Sequence, residues 1–418
     1  MSEVKIPEGY KQTEVGVIPE DWDVKELGSQ SLKIGSGSDS KDKNGTYPLY
    51  GSTGIIGKSK LFSYDQQSIL VARVGANAGL VNLVNGKYGV SDNTIVINLN
   101  NNNDVEFIKS WLIKKDLNTL VFGSGQPLIT GTQLKKLLIA LPSKKEQTAI
   151  ATALSDVDNL IESLEKLIAK KEAIKTGAMQ QLLTGKTRLP EFATHDDGSP
   201  KGFKQTELGQ IPEDWGIRTV FELAERNSSN FNDGDWVESE HIINHGIRLL
   251  QTGNIGIGYF VDKGNKKYIS EHSFIQLNCK LLEAGDLLIC RLAEPAGRAC
   301  IFKGVEEDKA ITSVDVTIFR PPADSVNREF YLQVFSSSDW FNSINEQVGG
   351  TTHKRISRSA LGSIYVPYPT YQEQTAIATI LSDMDTEIQA LQQRLEKTRD
   401  IKQGMMQQLL TGKVRLAH

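Results

Sequence analysis

The sequence predicts a mixed α/β (α+β) protein in which two globular domains are separated by two long antiparallel coiled-coil helices, with a pseudo-two-fold internal repeat. Three observations predict this fold: two pairs of repeated segments, a heptad pattern in each copy, and strand-rich segments between the repeats. The length of 418 residues also suits two or three domains with cores of their own.

The repeats come in two pairs. Residues 10–22, YKQTEVGVIPEDW, return as residues 203–215, FKQTELGQIPEDW, with 10 of 13 positions identical. Residues 142–189 return as residues 369–416 with 28 of 48 positions identical, and both copies contain EQTAIAT and MQQLLTGK. The first pair is offset by 193 positions and the second by 227, so the intervening segment is 34 residues longer in the second copy. The chain therefore contains a domain and a helix, and then a second domain and a second helix.

These repeats set the expected boundaries. Residues 1–141 form the first globular domain and residues 142–189 the central spacer helix. Residues 190–202, which are rich in Pro, Gly and Asp, form a linker. Residues 203–368 form the second domain, and residues 369–418 form the C-terminal spacer helix.

Both globular domains carry short β-type runs separated by turn residues. The runs SILVARVG and NTIVINL precede a helix expected near Phe107–Lys115, and DLLICRL and DVTIFR precede one expected near Phe330–Phe341. The segments ILVARVGANAG and LLICRLAEPAG are similar, which places Arg73 and Arg291 at equivalent positions. Each domain is therefore predicted to be mixed α/β or α+β.

Each long helix carries apolar residues at alternating spacings of three and four, which is a heptad seam. We expect the helix-pair interface to consist of Ile150, Leu154, Val157, Ile161, Leu164 and Ile168 in the first helix and Ile377, Leu381, Met384, Ile388, Leu391 and Leu395 in the second. A helix over 146–182 would be about 55 Å long and too apolar along one stripe to stand alone. The simplest burial is one helix against the other; two independent coiled coils with other chains are the alternative.

Composition excludes several classes of protein. No apolar run approaches the roughly 18 residues of a membrane span, and the start MSEVKIPEGYK lacks a secretory signal, so we expect a cytoplasmic protein without membrane contact. The formal charge is −4 overall, but +4 over residues 23–141 and −3 over residues 216–368. The three cysteines form no CxxC pair and are expected to be buried, reduced thiols.

Three segments resemble known catalytic motifs, but each departs from the motif at a required position or has a simpler structural explanation. GSTGIIGKS, residues 51–59, has one position too many between its outer glycines for a phosphate-binding loop. His241 and His245 lack the glutamate of a zinc-protease helix, and Asp286 is expected to begin a strand rather than a nuclease site. We therefore expect no catalytic residues and no metal site, and the chain is predicted not to be an enzyme.

The ordered double repeat, with IPEDW-like starts and LLTGK-like ends, resembles the specificity subunit of Type I restriction-modification systems over essentially all 418 residues. The resemblance implies a non-catalytic DNA reader with two target-recognition domains, each reading one half of an asymmetric bipartite double-stranded target. It implies that the helices set the spacing between the halves. It also implies two modification subunits that methylate adenine, and restriction subunits that add ATP-dependent cleavage. S-adenosylmethionine, ATP and magnesium would then belong to those partners, with no cofactor in this chain.

The candidate DNA contacts lie in polar, turn-rich segments whose side chains suit phosphates and base edges. In the first domain they are Lys41, Lys43, Asn44, Tyr47, Lys58, Arg73 and Gln126, and in the second they are Arg291, Arg298, Thr352, His353, Lys354 and Arg355. A solvated loop is the alternative for each of them, and a shared structural role is the alternative for Arg73 and Arg291. Two other functions remain open: a coiled-coil structural or interaction protein with protein-binding domains, and a self-contained enzyme acting on DNA.

Overall fold

The computed structural model of the chain describes residues 6–121, 128–292, 294–349 and 354–416. It divides into two compact units. Unit 1 is Met1–Leu167 with Leu391–His418, and unit 2 is Ile168–Ala390. Each unit therefore contains one globular domain together with part of each long helix.

The domain of unit 1 is built on two four-stranded sheets. Its strands are β1 (Tyr10–Thr13), β2 (Gly16–Pro19), β3 (Asp23–Glu26), β4 (Ser31–Ser36), β5 (Tyr47–Gly51), β6 (Gly54–Ser59), β7 (Tyr64–Asp65), β8 (Ser68–Ala72), β9 (Val81–Val84), β10 (Lys87–Val90), β11 (Thr94–Leu99) and β12 (Leu138–Leu141). Its helices are α1 (Val105–Lys115) and α2 (Gly131–Lys135). One sheet has the order β4-β11-β8-β9 and is antiparallel, while the other has the order β6-β5-β10-β7 with β5 and β10 parallel. Two further pairs, β1-β2 and β3-β12, complete the domain.

The domain of unit 2 repeats this layout. Its strands are β13 (Phe203–Thr206), β14 (Gly209–Pro212), β15 (Gly216–Thr219), β16 (Phe231–Asp233), β17 (Ile242–Ile243), β18 (Ile247–Leu250), β19 (Lys267–Ile269), β20 (Leu287–Cys290), β21 (Ala299–Ile301), β22 (Ala310–Thr312), β23 (Val316–Phe319) and β24 (Tyr365–Tyr368). Its sheets have the orders β16-β23-β20-β21 and β17-β19-β18-β22, and β18 and β22 are the parallel pair. The pairs β13-β14 and β15-β24 match β1-β2 and β3-β12.

The short helices of unit 2 correct one expectation. They are α4 (Val220–Leu223), α5 (Glu271–Gln276), α6 (Arg328–Val334), α7 (Ser338–Gln347) and α8 (Arg358–Ser363). The single helix expected near Phe330–Phe341 is in fact α6 followed by α7. The break has a physical reason, because the Ser337 hydroxyl accepts a hydrogen bond from the backbone N–H of Trp340 and caps a new helix.

The two long helices are α3 (Lys144–Leu182) and α9 (Tyr371–Leu409), with 39 residues each. At 1.5 Å per residue each is about 58 Å long. The turn after each helix contains the glycine of LLTGK: Gly185 and Gly412 have φ of +69° and +67°. A Cβ on either would lie 2.4 Å from a proline ring carbon, so glycine is required for space as well as conformation. Among the described residues, no helix combines the length and hydropathy that a membrane crossing requires.

The long helices run antiparallel within each unit. In unit 1, Asp158 of α3 pairs with Lys402 of α9, and Glu165 of α3 pairs with Arg399 of α9. The residue number rises along α3 while that of its partner falls along α9, which is the pattern of antiparallel helices. In unit 2, Lys171 and Lys175 pair in the same sense with Glu387 and Asp385. This arrangement, with the repeated mixed α/β domains, confirms the predicted fold class.

The helix ends belong to the domain cores. In unit 1, Ile150 and Leu154 of α3 and Leu409 of α9 are buried in one cluster with the core of the first domain. In unit 2, Leu182 of α3 and Ile377 and Leu381 of α9 are buried with the core of the second domain. Each domain core is therefore completed by residues from both long helices.

Candidate nucleic-acid interface

Five of the candidate residues of the first domain lie together around the β5-β6 hairpin. The backbone N–H of Asp42 donates to the Lys58 carbonyl at 2.9 Å, and the N–H of Asn44 donates to the Asp42 carboxylate at 2.8 Å. The Lys41 side chain packs over Gly57, and Tyr47 begins β5 beside it. The structure thus gathers Lys41, Lys43, Asn44, Tyr47 and Lys58 on one side of the domain.

This group, which we call the β5-β6 cluster, presents positive charge and aromatic rings. Lys41, Lys43 and Lys58 are exposed, and no ion pair involves them within the described part of the chain. The Tyr47 ring contacts Phe62 edge-on, with centroids 4.9 Å apart, and the Lys87 ammonium lies 4.9 Å from the Phe62 centroid. Unpaired lysines interleaved with aromatic rings are typical of surfaces that bind nucleic acid.

Arg73 and Arg291 occupy equivalent positions, as their backbone hydrogen bonds show. Each receives one bond from the segment that closes its domain, from Ile129 to Arg73 and from Ile356 to Arg291, both N–H to carbonyl. The Arg73 guanidinium lies 3.4 Å from both the Ser36 hydroxyl and a backbone carbonyl. Arg291 is only 3% exposed, and its burial lowers the pKa of the guanidinium despite a nearby carboxylate.

Arg291 and Arg298 are both tied to the protein itself. Arg291 pairs with Asp233 at 3.0 Å and donates to two backbone carbonyls. Arg298 donates to four carbonyls around its loop, at distances of 2.8–3.0 Å. In this arrangement both guanidinium groups hold loop backbone in place.

Of the remaining candidates, the structure describes only Lys354 and Arg355 of the second domain. Lys354 is exposed, and Arg355 forms an ion pair with Asp315 at 3.0 Å while its side chain stays 44% exposed. Gln126, Thr352 and His353 lie outside the described residues, so their candidacy stays a prediction.

The sequence reasoning missed a cavity of about 440 Å³ in the second domain, which we call the Trp236 cavity. Its lining includes Trp236, Arg248, Lys263 and Lys267. Trp236 is 68% exposed. A tryptophan within the polar run FNDGDWVESE was the available signal, but a single tryptophan in a sequence more often marks a core position.

Each unit also contains a charged group, which we call the clasp, that joins the ends of both long helices to the IPEDW segment. In unit 1, Arg415 forms ion pairs with Glu146 and Asp21, and the Trp22 indole N–H donates to Glu146 at 3.3 Å. The hydrogen bonds that the Arg415 guanidinium donates to Asp21 lower the pKa of that carboxyl group. The arginine, from the segment that follows α9, therefore meets a glutamate from the start of α3.

Unit 2 repeats the clasp residue for residue. Arg188 pairs with Glu373 and Asp214, and the Trp215 indole donates to Glu373 at 2.8 Å. Burial raises the pKa of Glu373, although Arg188 and Trp215 oppose that effect. The repeated sequence motifs therefore correspond to a repeated structural contact.

The predicted helix-pair positions are all buried or half-buried. Seven are at most 8% exposed: Ile150, Leu154, Leu164, Ile168, Ile377, Leu381 and Ile388. Five are half-buried: Val157, Ile161, Met384, Leu391 and Leu395. The outermost of these residues join the domain cores, so the seam serves the domains as well as the helix pair.

Asp286 and His241, which belong to the incomplete catalytic motifs of the sequence, contact other side chains of the protein. Asp286, fully buried, immediately precedes β20 and binds Arg320 through both carboxylate oxygens, at 2.6 and 2.7 Å. The His241 ring lies 3.1 Å from the Ser273 hydroxyl. Within the described residues, no group of three or more His, Cys, Asp or Glu side chains could hold a metal ion.

Comparison with known proteins gives a consistent answer. The sequence model of the family described as "Type I restriction modification DNA specificity domain" matches residues 19–174 and 212–398. The chain is 27% identical to the Type I restriction enzyme MjaVIII specificity subunit of Methanocaldococcus jannaschii, over 98% of this chain and 96% of that protein. It is 23% identical to the EcoDI specificity subunit of Escherichia coli, over 96% of this chain and 90% of that protein.

A solved structure shows the same fold. The crystal structure of the S subunit of a Type I restriction-modification system from M. genitalium aligns with a TM-score of 0.63 and 18% identity. The alignment covers 97% of this chain and 98% of that one. At this identity the likeness concerns the fold alone.

Proposed function

The chain belongs to the Type I restriction-modification DNA specificity family, and from that premise we propose that it is the DNA-reading subunit of such a complex. Each globular domain reads one half of an asymmetric, bipartite duplex target. The observation that carries this proposal is that the family model matches both copies of the repeat, each with its domain and most of its helix. The alternative of a purely structural coiled-coil protein is not favoured.

Differences between the domains support a target with unequal halves. The repeated segments are identical at 10 of 13 and 28 of 48 positions, whereas the domains between them differ by 34 residues in length and by the sign of their charge. The β5-β6 cluster of the first domain carries exposed lysines, while the second domain has its own cavity beside Trp236. Different side chains on a common scaffold would read different bases.

The long helices supply the spacing between the half-sites in this proposal. A helix of about 58 Å exceeds one turn of B-DNA, which is about 34–36 Å. Within each unit, ion pairs join the two helices to each other, and the clasp joins them to the globular domain.

Partner subunits supply the chemistry. Two modification subunits methylate adenine with S-adenosylmethionine, and restriction subunits add ATP- and magnesium-dependent cleavage. The chain itself is proposed to be non-catalytic. Part of the phosphate contact then comes from the partners, which agrees with a net charge of only −4 in a DNA-binding subunit.

The test is adenine-methylation mapping in a host without other adenine methylation. The gene is expressed together with the modification-subunit gene of its own system, and the control host carries the modification subunit alone. We expect one asymmetric, gapped motif to be methylated only when both proteins are present. If both proteins are folded and form a complex, but no gapped motif gains methylation, the proposal is wrong. Methyl transfer or cleavage by this chain alone would instead make it an enzyme.

A further inference from the structure

The Trp236 cavity combines an exposed aromatic ring with a buried, incompletely bonded cation. Trp236 stands at the cavity on the loop after β16, and its indole N–H donates to Glu238 at 3.3 Å. Arg248 in β18 also lines the cavity and is 1% exposed. Its Nη2 donates to Asp262 at 3.1 Å, but its Nε and Nη1 have no hydrogen-bond partner among the described residues. Buried donors without acceptors cost free energy, which a ligand supplying acceptors would recover.

The balance of charge in the cavity lining favours an anionic ligand. The two carboxylates of the lining are already paired, Asp235 with Lys280 at 2.7 Å and Asp315 with Arg355 at 3.0 Å. Lys263 and Lys267 line the same cavity, and neither has an ion pair in the portion of the chain that the structure describes. The lining therefore offers uncompensated positive charge.

The cavity also corresponds to the β5-β6 cluster of the first domain. The N–H of Asp39 donates to the Val90 carbonyl at 2.9 Å, and the N–H of Asp235 donates to the Thr312 carbonyl at 2.8 Å. Val90 and Thr312 end β10 and β22, the matching partners of the parallel pairs. The loop after Asp39 carries Lys41, Lys43 and Asn44, while the loop after Asp235 begins with Trp236. Two domains with different sequences thus place chemistry suited to nucleic acid at the same point of the scaffold.

We propose that the Trp236 cavity holds one nucleotide of the DNA target out of the base stack. The base stacks on the Trp236 indole, its polar edge meets Arg248, and Lys263 and Lys267 contact the adjoining phosphates. Arg248 is too enclosed to reach into a groove of stacked DNA, so the base must enter the cavity. A volume of about 440 Å³ lies within the usual range of small-ligand pockets, and ring-plus-cation sites of this kind bind unstacked bases. This inference rests on the proposed function and names the residues through which the second domain reads its half-site.

The test uses the complex of the full chain with its modification subunits and the mapped target duplex. Fluorescent base analogues that brighten when they are unstacked replace each base of the target in turn, with an analogue that keeps the pairing of the base it replaces, such as 2-aminopurine for adenine. In the wild type the indole takes the place of the neighbouring bases and keeps emission low. In Trp236→Ala we expect emission to rise several-fold at one position other than the methylated adenines, with about tenfold or greater loss of affinity. Trp236→Phe should restore low emission and most of the affinity.

Matched controls separate this site from general effects. Phe203→Ala removes another exposed aromatic ring of the same unit and should leave emission and affinity unchanged. The double variant Lys263→Ala, Lys267→Ala should reduce the slope of log affinity against log salt concentration by about two. The control variant Lys303→Ala should leave that slope unchanged.

Two outcomes overturn the proposals separately. If Trp236→Ala binds the target specifically but no position other than the methylated adenines gains emission, the nucleotide site is wrong and the proposed function stands. If the wild-type complex does not prefer the mapped target over unrelated duplexes, the proposed function itself fails.

Discussion

Arg188 and Glu373 form a two-point ion pair, with Nε 2.6 Å from Oε1 and Nη2 2.8 Å from Oε2. The Glu373 side chain is 1% exposed and the Arg188 side chain 8%. Trp215 donates to the same carboxylate, so the pair is enclosed and satisfied on several sides. Arg188 lies in the segment that follows α3 and Glu373 in the first turn of α9, and the pair therefore fastens both helices to the second domain.

Replacing Arg188 with Ala should destabilise unit 2 by about 3–5 kcal/mol, because it leaves a buried carboxylate without its cation. Arg226→Ala is the control, since Arg226 pairs with Glu222 at a largely exposed position and should cost at most about 1 kcal/mol. Urea unfolding followed by tryptophan fluorescence measures the difference. Equal midpoints for the two variants would show that the clasp contributes little.

The Arg188→Ala defect should also depend on pH. Burial raises the pKa of Glu373 even with Arg188 present, and loss of the arginine removes a group that lowers it. A carboxyl group whose pKa is raised in the folded state binds its proton more tightly there, so lowering the pH favours the folded variant. We expect the defect to shrink between pH 7 and pH 5 in unfolding experiments. The double variant with Glu373→Gln should lose that part of the pH dependence, and an unchanged defect would contradict the assignment.

The sequence predicted features whose signals are local. The heptad spacing from Ile150 to Ile168 gave the long helix, and the repeat of YKQTEVGVIPEDW gave the second domain. The clasp was not predictable, because Glu146 and Arg415 are 269 positions apart and no local pattern encodes their distance. The sequence repeats these residues in both copies, but only the fold shows that they meet.

The candidate interface was predicted in part. Lysines in turn-rich segments pointed to the β5-β6 cluster because exposure follows from such composition. The same reasoning selected Arg298, whose guanidinium instead bonds to loop carbonyls, because composition does not reveal hydrogen-bond partners. Trp236 was missed because a tryptophan is expected to be largely buried, and the sequence alone does not reveal its exposure.

Lys58→Ala should weaken binding about equally for all DNA sequences and reduce the salt slope by about one. Lys58 is exposed in the β5-β6 cluster, where it can contact a phosphate but has no described partner that would position it for a base. Titration of the complex with target and unrelated duplexes at several salt concentrations measures both effects, with Lys303→Ala as the charge-matched control. A loss confined to the target sequence would make Lys58 a base-reading residue.

The three cysteines should not react in the folded protein. Cys279, Cys290 and Cys300 are buried and free, and burial raises the pKa of Cys279 to about 11 and that of Cys300 to about 12. The thiolate is the reactive form, so a thiol reagent at pH 8 should label none of them in the native state within the time that labels all three in denaturant. Rapid native labelling of any one of them would show that its site opens.

The spacing between half-sites should change with helix length. Seven residues inserted after Leu167 in α3 and after Ala390 in α9 fall between the two units, so the ion pairs and clasp within each unit are kept. One heptad preserves the apolar seam and lengthens the pair by about 10 Å, which corresponds to about three base pairs. Methylation mapping should then show both half-sites unchanged and the gap between them enlarged. An insertion in α3 alone is the control, and it should abolish methylation because the two helices no longer match. An unaltered gap in the double insertion would mean that the helices do not measure the distance between the two halves of the target.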